Sequence, residues 1–498
     1  MRRPYSRTLP PGRWDAVVVG SGIGGLACAA LLALKGLRVL VLEQHHTPGG
    51  LIQTFVRGRF RFDTGLHVLG ELHPDGLPAR LLVPLTGGAR FRRLGPVVDR
   101  IHHPDGVVDL RAGRDALVAG LEERFPGCEE SVRATLDRMA RASAHVGTAL
   151  LARNLPPQLR DLMDRHALAD GERLLRTPAA PWLGETLGDG LHADALAIRA
   201  GYHGTPLHEA SAGAHATVCH HYVDGAWAPA GDARDITHGL AATVARAGGW
   251  TVVGADVVRI DQEAGAAVGV VLRDGQTVRA PCVVSAVGVH NTLALLDAPP
   301  EPWAAALRAL HPSPPHVGLY LGLSTDPGPL GATAASHWAL SPTPGIPGIY
   351  LRFPTVGRPG PHRATLTAAV PEGTFEHAGE HGARAADYSA RKADLQESLL
   401  AAAEAVFPGL RGLVVHAELS TPQTTHHFTR SHAMYGLAAT VPRFACDALR
   451  AHTPVPGLVL AGVDVGMSGV VGGLMSGVHA AITVHPRAFS VLARARFA

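Results

Sequence analysis

The residues that first suggest chemistry are glycines at the spacing G-x-G-x-x-G. Gly20, Gly22 and Gly25 occupy these positions, and Gly24 lies within the same turn. Glycines at this spacing permit a tight turn, close approach of the backbone to a pyrophosphate, and close packing of helix on strand. Glu43 follows about 20 residues later, at the distance where a carboxylate accepts the hydroxyls of a ribose. The combination predicts a dinucleotide site.

A second glycine pair selects among dinucleotides. Gly49 and Gly50 end the run His46-Thr47-Pro48-Gly49-Gly50. A loop of this kind suits the pyrophosphate and flavin of FAD, whereas a site for NAD alone does not need it. The alternative is an ordinary Pro-Gly turn. We therefore expect FAD as the cofactor.

The C-terminal part of the chain carries a second glycine-rich segment. Residues 458–461 predict a strand, and Gly462, Asp464, Gly472 and Gly473 follow it. A strand that enters a glycine-rich helix start places free backbone N–H groups at a ligand. Asp464 is placed to accept hydrogen bonds from a polyol. We expect the two chain ends to build one site, with substrate segments inserted between them.

These motifs need particular elements to position them. Residues 16–34 carry no charge and are long enough to span a membrane. The glycines divide this stretch, so the pattern favours a strand at 15–19 and a helix at 24–35. A second strand is predicted at 38–42, which completes a β-α-β unit.

The remaining pattern predicts an α/β protein without internal repeats. Further strands are expected at 57–62, 251–260, 268–272, 283–286, 316–323 and 364–370. Helices are expected at 115–170 with breaks at Pro-Gly and Pro-Pro pairs, at 178–200, before Arg246, and at 387–407. The stretch 327–361 is rich in proline and glycine and predicts a loop.

Composition excludes several classes of protein. The 45 basic and 42 acidic residues leave a net charge of +3, so no concentrated basic face for nucleic acid is expected. Hydrophobic residues make up 46% of the chain, which is too many for a disordered protein. The five cysteines include no C-x-x-C pair. We expect a reducing, cytoplasmic location with no signal peptide.

Sequence patterns for other kinds of catalysis are less well supported than the dinucleotide site. His377, Glu380 and His381 match H-x-x-E-H, but Gly379 lies within the match, so we expect a solvated loop and no metal site. No G-x-S-x-G supports a serine hydrolase. No second G-x-G-x-x-G indicates a separate NAD(P)H domain, so the electron donor or acceptor is left open between a quinone, oxygen and a carrier protein.

The sequence resembles the FAD-dependent superfamily of phytoene desaturases, carotenoid isomerases and retinol saturases, and the retinol saturase-like branch most. The matching stretches are VVGSGIGGLACAALLALKGLRVLVLEQH, PGGLIQTF, FDTGLHVLG, GAWAPAG, VVSAVGVHNTLALL, YGL and PGLVLAGVDVGMSGVVGGLMSGV. They span nearly the whole chain in order. The first and last indicate the fold only, whereas DTGLH and VSAVGVHNT indicate the narrower group.

The resemblance implies a glutathione-reductase and amine-oxidase type α/β fold, with an FAD-binding Rossmann-like domain and an interleaved α+β substrate domain. It implies that Val257 contacts adenine through its backbone, that His67 lies near the flavin as the candidate catalytic residue, and that Tyr435 lines the substrate cavity. One departure is visible, because Asp232 replaces the final glycine of the family's G-x-x-P-x-G-G.

The implied domains are discontinuous. Residues 14–115, 225–297 and 445–485 would bind FAD, whereas 116–224 and 298–444 would form the substrate domain with a helical insertion facing substrate or membrane. Peripheral membrane contact is expected at 178–200, because polyenes partition into bilayers.

The implied function is hydride transfer to or from flavin N5 on a conjugated polyene, as a desaturase, saturase or isomerase. The alternatives are an amine oxidase or protoporphyrinogen oxidase-like enzyme, and a non-catalytic relative such as Rab GDP-dissociation inhibitor. Many amine oxidases that resemble this fold use a lysine near the flavin. The only lysines here are Lys35 and Lys392, and neither is placed for that role.

Overall fold

The computed structural model describes residues 4–155, 157–188, 190–341, 345–375, 379–380, 383–384 and 387–490. His377 and His381 of the H-x-x-E-H match lie outside these residues. Gly379–Glu380 between them is a short strand rather than a helix.

The chain alternates strands and helices throughout its length. The strands are β1 Ala16–Val19, β2 Val39–Glu43, β3 Thr54–Arg57, β4 Phe60–Asp63, β5 Phe91–Arg93, β6 Val97–His103, β7 Gly106–Arg111, β8 Trp227–Pro229, β9 Trp250–Val253, β10 Val257–Glu263, β11 Ala266–Leu272, β12 Thr277–Arg279, β13 Val283–Ser285, β14 His316–Leu323, β15 Ser336–Leu340, β16 Gly348–Arg352, β17 His362–Ala369, β18 Gly379–Glu380, β19 Ala383–Arg384, β20 Val414–Ser420 and β21 Leu458–Leu460.

The helices connect and cover these strands. They are α1 Ile23–Leu34, α2 Leu77–Leu85, α3 Arg114–Arg124, α4 Glu129–Ala152, α5 Pro157–Arg160, α6 Arg165–Leu175, α7 Ala179–Leu187, α8 Leu191–Ala197, α9 Ala212–His221, α10 Arg234–Arg246, α11 Val289–Ala294, α12 Glu301–Arg308, α13 Tyr388–Val406, α14 Leu410–Leu413, α15 Pro422–Thr429, α16 Val441–Ala445 and α17 Gly469–Val484. Short 3-10 turns occupy Ile198–Tyr202, Gly328–Leu330 and Pro486–Ala488.

A five-stranded parallel sheet joins the two ends of the chain. Its order is β21-β13-β1-β2-β9. Every residue of β1 is buried, as expected for a valine-rich strand covered on both faces. Helices α1 and α17 pack directly on each other, and an added Cβ on Gly24 would lie 2.8 Å from Gly462 Cα. The predicted β-α-β start and the meeting of the chain ends are confirmed.

A seven-stranded mixed sheet forms the second layer. Its order is β20-β14-β17-β16-β15-β6-β7, and β14 pairs with β17 along its whole length. Helix α13 covers one face through Leu399 and Ala403. A separate helical core holds α3, α4, α6, α7 and α9, with Met139, Val146 and Trp182 at its centre.

The structure corrects three predicted elements. The strand expected at 251–260 is divided between β9 and β10, which belong to different sheets. The expected strand at 57–62 is a hairpin of β3 and β4, because the glycine of the run Arg57-Gly58-Arg59 adopts φ +55° and turns the chain. The expected loop at 327–361 contains β15 and β16. Pro347 and Pro354 flank β16 without interrupting it, so the proline content of the stretch concealed a strand.

Two segments bear on the domain boundaries, which stay a prediction. Strands β6 and β7 lie in the seven-stranded sheet although 14–115 was assigned to the FAD domain. Trp303 and Leu307 of α12 pack in the core around the parallel sheet although 298–444 was assigned to the substrate domain. We propose that 97–111 belongs with the substrate part and 301–310 with the nucleotide part.

Among the helices of the described ranges, none combines the length and the hydrophobicity that a transmembrane span requires. The uncharged stretch 16–34 is divided between β1 and α1, as the glycines predict.

Candidate functional site

A cavity of about 2560 Å³ lies at the carboxyl ends of the parallel strands. Ligand pockets usually measure roughly 300–1,000 Å³, so this one has room for more than one ligand. The predicted residues that line it are Gly20, Gly22, Gly24, Glu43, Gly49, Gly50, His67, Val257, Tyr435, Gly462, Asp464 and Gly472. The two chain ends therefore face one shared space.

Two predicted glycines lie behind the cavity wall instead. A Cβ added to Gly25 would lie 2.2 Å from the carbonyl oxygen of Gly20, and one added to Gly473 would lie 2.7 Å from Cγ2 of Ile23. Neither residue lines the cavity. Their position supports a packing role, which the third glycine of the fingerprint is expected to have.

The cavity wall fits a dinucleotide. Helices α1 and α17 both begin at this wall, and neither has an acidic residue in its first turn or a side-chain cap among the described contacts. Their first N–H groups are thus available to an anion. A Cβ on Gly22 would meet nothing within 4 Å, whereas one on Gly50 would lie 3.1 Å from Gly22 Cα. The residues present fit the pyrophosphate of FAD.

Glu43 is held at the cavity by the first glycine turn. Its carboxylate accepts hydrogen bonds from Ser21 N at 3.0 Å, from Ser21 Oγ at 2.6 Å and from His45 N at 2.9 Å. Ser21 Oγ also accepts a bond from Gly49 N at 3.0 Å, which ties the two glycine turns together. A carboxylate has about four acceptor sites, so Glu43 retains capacity for a ribose. Sequence reasoning assigned no such role to Ser21.

Asp464 joins three segments of the chain. Its two carboxylate oxygens accept bonds from Val289 N and Leu437 N, both at 2.9 Å. Arg443, which is buried, donates to the carbonyl oxygens of Leu437 and Asp464 at 2.6 and 3.2 Å and also to Val463 O. Asp464 thus positions the loops that line the cavity, in addition to facing it. No motif identified Arg443, because its partners are backbone carbonyls brought together by folding.

A loop from the substrate segments covers the nucleotide end. Arg430 forms a short ion pair with Asp256 and donates to the carbonyl oxygen of Val257 at 3.5 Å. Gln44 Nε2 donates to Phe428 O at 2.7 Å. Val257 thus lies beneath this loop, at the cavity wall, where the predicted adenine contact would be made. The residues 428–430 carry no sequence signal for this role.

His67 is partly exposed to the cavity, beside the sheet that closes it. Its ring centroid lies 6.0 Å from that of Tyr350. Burial, together with the charge of Arg352, lowers the pKa of His67 to about 4. The imidazole is therefore neutral at pH 7, and it can hold or orient a ligand but does not serve as a cationic proton donor.

Aromatic side chains form one wall of the cavity next to His67. Tyr202 stacks on Tyr222 with centroids 4.3 Å apart, and it meets Trp338 edge-on at 5.1 Å. Trp338 lies 4.6 Å from Tyr350. The ring of Tyr435 meets that of His316, with centroids 5.1 Å apart. Rings of this size supply a large apolar surface with little conformational freedom.

A buried ion pair orients the aromatic wall. Asp99 accepts bonds from Arg199 Nε at 3.0 Å, Tyr202 OH at 2.6 Å and Trp338 Nε1 at 3.0 Å. The side chains of Asp99 and Arg199 are fully buried. Because Asp99 bonds both Tyr202 and Trp338, it sets the orientation of two rings that line the cavity. Sequence reasoning missed Asp99, which lies on β6 far from any motif.

Glu71, His220 and His221 form a polar cluster in the cavity lining. Glu71 lies 3.7 Å from His220 Nε2 and 3.5 Å from His221 Nε2. All three residues line the cavity. Glu71 adopts φ +52°, a conformation that non-glycine residues rarely take.

Metal and lysine chemistry are not indicated at the cavity. Among the described residues, no group of His, Cys, Asp and Glu could hold a metal ion. Lys35 lies outside the cavity lining and donates to Ser490 Oγ at 2.7 Å. Lys392 lies on α13, also outside the lining.

Comparison with known proteins agrees with this geometry. Residues 23–485 match the family described as flavin containing amine oxidoreductase. The chain is 29% identical to all-trans-retinol 13,14-reductase of Rattus norvegicus over 95% of this chain and 86% of that protein. It is 27% identical to prolycopene isomerase 1 of an Oncidium hybrid cultivar, over 85% and 75% of the two chains.

A solved structure shares the fold. Cyclohexylamine oxidase from Brevibacterium oxydans aligns over 97% of this chain and 99% of its own, with a TM-score of 0.63 at 18% identity. The expected fold class and FAD as cofactor are confirmed. The family match covers nearly the whole chain, so this protein is an FAD-dependent oxidoreductase that belongs to the family of flavin-containing amine oxidoreductases.

Proposed function

We propose that this enzyme acts on the conjugated double bonds of a polyene. The observation that carries the proposal is one continuous cavity that runs from the nucleotide loops into an apolar channel. The channel is lined by Ala140, Ala144, Gly147, Leu150, Ile198, Leu207, Val218 and the aromatic wall. A hydrocarbon chain offers few polar groups, so apolar contact and exclusion of water would provide most of its binding energy.

The chemistry would divide between cofactor and protein. When bound, FAD supplies the acceptor or donor of a hydride. Tyr202, Tyr222 and Trp338 would hold the planar polyene against rotation, and neutral His67 would orient it without competing for a proton. No acid-base pair is needed in this scheme, because the flavin accepts or donates the hydride.

The polar cluster suggests one polar end on the substrate. Glu71 has spare acceptor sites, and His220 and His221 turn their Nε2 atoms toward it. A terminal hydroxyl would donate to Glu71 and accept from an imidazole, whereas a terminal carboxylate would be repelled by Glu71. We therefore propose a polyene alcohol as the preferred substrate, which is consistent with the retinol named for the mammalian relative.

Anaerobic incubation of the purified flavoprotein tests the proposal. The substrates would be all-trans-retinol, lycopene and prolycopene, with the flavin spectrum and the product mass as readouts. A gain of two hydrogens indicates a saturase, a loss of two a desaturase, and a new isomer at unchanged mass an isomerase. No turnover of any polyene by a reduced or oxidised enzyme would contradict the proposal.

Amine oxidation is the second candidate, because the family name includes it. The lack of Lys35 and Lys392 at the cavity disfavours this candidate. Flavin reduction by cyclohexylamine or putrescine in the same anaerobic assay, with no response to polyenes, would favour amine oxidation instead.

Membrane contact stays a proposal, and its expected location changes. In the predicted stretch 178–200, Trp182 and Leu183 face the helical core. Leu340 is 62% exposed and lines the cavity, so it is a better placed contact for a bilayer that delivers substrate. We expect the protein to float with liposomes and Leu340→Asp to float less. Val107→Asp, which changes an exposed valine outside the cavity lining, is the control. No flotation of the unmodified protein would contradict the proposal.

A further inference from the structure

Arg352 carries a buried charge for which the described residues supply no carboxylate partner. The side chain is fully buried and belongs to β16. Nη1 donates to the carbonyl oxygen of Ala334. Nε and Nη2 have no hydrogen-bond partner among the described residues. A buried cation with two donors that make no hydrogen bond is unfavourable unless an anion pairs with it.

Two further arginines in the same region also have a buried donor atom without a hydrogen-bond partner. Arg92 donates through Nη2 to Pro354 O at 2.9 Å, but its Nε is buried without a partner in the described chain. Arg363 Nε is likewise unpartnered, and its Nη2 lies 3.8 Å from Asp63. Burial and the charges of Arg358, Arg352 and Arg363 lower the pKa of Arg92 to about 10. The charges of Arg352 and Arg363 thus disfavour the positive charge of Arg92.

Two carboxylates lie near this cluster, and both bond to groups outside it. Asp63 accepts bonds from Thr54 Oγ1 at 2.6 Å and Ala233 N at 3.0 Å. Asp232 pairs with Arg61 at 2.6 Å and lies 3.3 Å from Arg234. Asp63 and Asp232 thus pair with three arginines, Arg363, Arg61 and Arg234. Neither carboxylate forms an ion pair with Arg352 or Arg92. Asp326 accepts the backbone N–H groups of Gly357 and Gly328 instead.

We propose that Arg352, Arg92 and Arg363 form a binding site for an oxyanion, a phosphate or carboxylate group that is not part of FAD. The guanidinium fork pairs with two oxygens of such a group, and its charge strengthens each bond. Arg358 lies in the exposed turn 357–360, and Arg92 and Arg363 are partly exposed, so the cluster borders the protein surface. None of the three arginines lines the dinucleotide cavity.

The oxyanion has two possible sources. One is a free inorganic anion, and the other is the phosphate monoester of a soluble reductant that supplies electrons to the flavin. Titration calorimetry of the FAD-loaded enzyme in phosphate-free and sulfate-free buffer separates them, with inorganic phosphate, NADPH and NADH as ligands. Tighter binding of NADPH than NADH indicates the monoester, whereas binding of phosphate alone indicates the free anion.

Arg352→Met tests whether the arginines make the site. We expect saturable binding to the unmodified enzyme and at least about a 10-fold loss of affinity in the variant. Arg308→Gln, which removes an exposed arginine paired with Glu301, should bind like the unmodified enzyme. No binding of any of the three ligands, equal binding to Arg352→Met, or release of FAD by phosphate would overturn the proposal.

Stability without the anion provides a second readout. In anion-free buffer, Arg352→Met should melt no lower than the unmodified enzyme, because it removes an uncompensated charge. Arg199→Met should melt lower, because it leaves the buried carboxylate of Asp99 unpaired. Added phosphate should raise the melting temperature of the unmodified enzyme only. If Arg352→Met does not fold, Arg92→Gln, at a half-buried arginine, replaces it in both measurements. A rise in the melting temperature of Arg92→Gln with phosphate that equals that of the unmodified enzyme would count against the site.

Discussion

Glu71 is a charged residue of the cavity lining with an unusual backbone conformation. It is one of three non-glycine residues with positive φ among the described residues, together with Ala264 and Arg430. Ala264 belongs to a turn between two strands, whereas Glu71 and Arg430 both line the cavity. Backbone strain of this kind costs about 1–3 kcal/mol and concentrates at ligand sites. The strain and the two facing imidazoles are the reasons to assign Glu71 to the polar end of the substrate.

Glu71→Gln tests that assignment. The amide keeps the shape but removes the charge that strengthens a hydrogen bond from a hydroxyl, a contribution of about 1.5–3 kcal/mol. We expect KM for all-trans-retinol to rise about 10-fold, with little change for lycopene. Glu209→Gln, at another acidic residue of the cavity lining, should leave both values unchanged. An equal effect of Glu71→Gln on both polyenes would contradict a role in recognising the polar end.

At the scale of elements, the packing of α1 against α17 decides whether the two chain ends meet. Glycines make this contact possible. A Cβ on Gly477 would lie 2.4 Å from the carbonyl oxygen of Gly24 and 2.9 Å from Cβ of Ala27. Gly24 and Ala27 both belong to the buried helix α1, which is closely packed and cannot move away. The close approach of α17 to α1 therefore depends on the absence of a side chain at Gly477.

Gly477→Ala should therefore separate the two helices. Overpacking of a tight core typically costs about 1–3 kcal/mol, and displacement of α17 should also weaken FAD binding. Urea unfolding and flavin release measure the two effects. Gly184→Ala in α7 is the matched control, because a Cβ there meets nothing within 4 Å. Alanine should stabilise that helix by up to about 1 kcal/mol. If Gly477→Ala changed neither the free energy of unfolding nor flavin release, the two helices would tolerate a wider spacing.

At the scale of the whole molecule, buried histidines set the response to acid. Burial lowers the pKa of His67, His215 and His316 from 6.5 to about 4 and that of His337 to about 3. The unfolded chain binds protons at these sites below pH 6.5, whereas the folded chain does not. The stabilising contribution is thus complete above pH 6.5 and is lost as the pH falls toward 4.

We expect the melting temperature to fall by several degrees between pH 7 and pH 5, because a tenfold difference in proton affinity between the folded and unfolded chains corresponds to about 1.4 kcal/mol. His337→Gln should reduce this slope by removing one neutral buried site. His208→Gln, at a largely exposed histidine, should leave the slope unchanged. Equal stability at pH 7 and pH 5 would show that these histidines are not held neutral.

Much of the nucleotide part could be predicted because its signals are local. The glycine spacing, the apolar strands and Glu43 lie within one β-α-β unit, and each residue follows from the backbone path it must allow. The second glycine segment is also local, so the meeting of the two ends was predictable from the two motifs separately. The FAD contacts themselves, including Val257 and Asp464, stay predictions.

The sequence by itself determined the fold class, the cofactor and the loops that face it, because these depend on short-range patterns of glycine and apolar residues. Only the tertiary structure decided what surrounds the substrate and the arginine cluster. Asp99 meets Arg199 and Trp338 across 100 and 239 residues of chain. Arg352 buries two donors, Nε and Nη2, that have no hydrogen-bond partner in the described part of the chain. Such contacts depend on which distant segments fold together, and no local pattern encodes them.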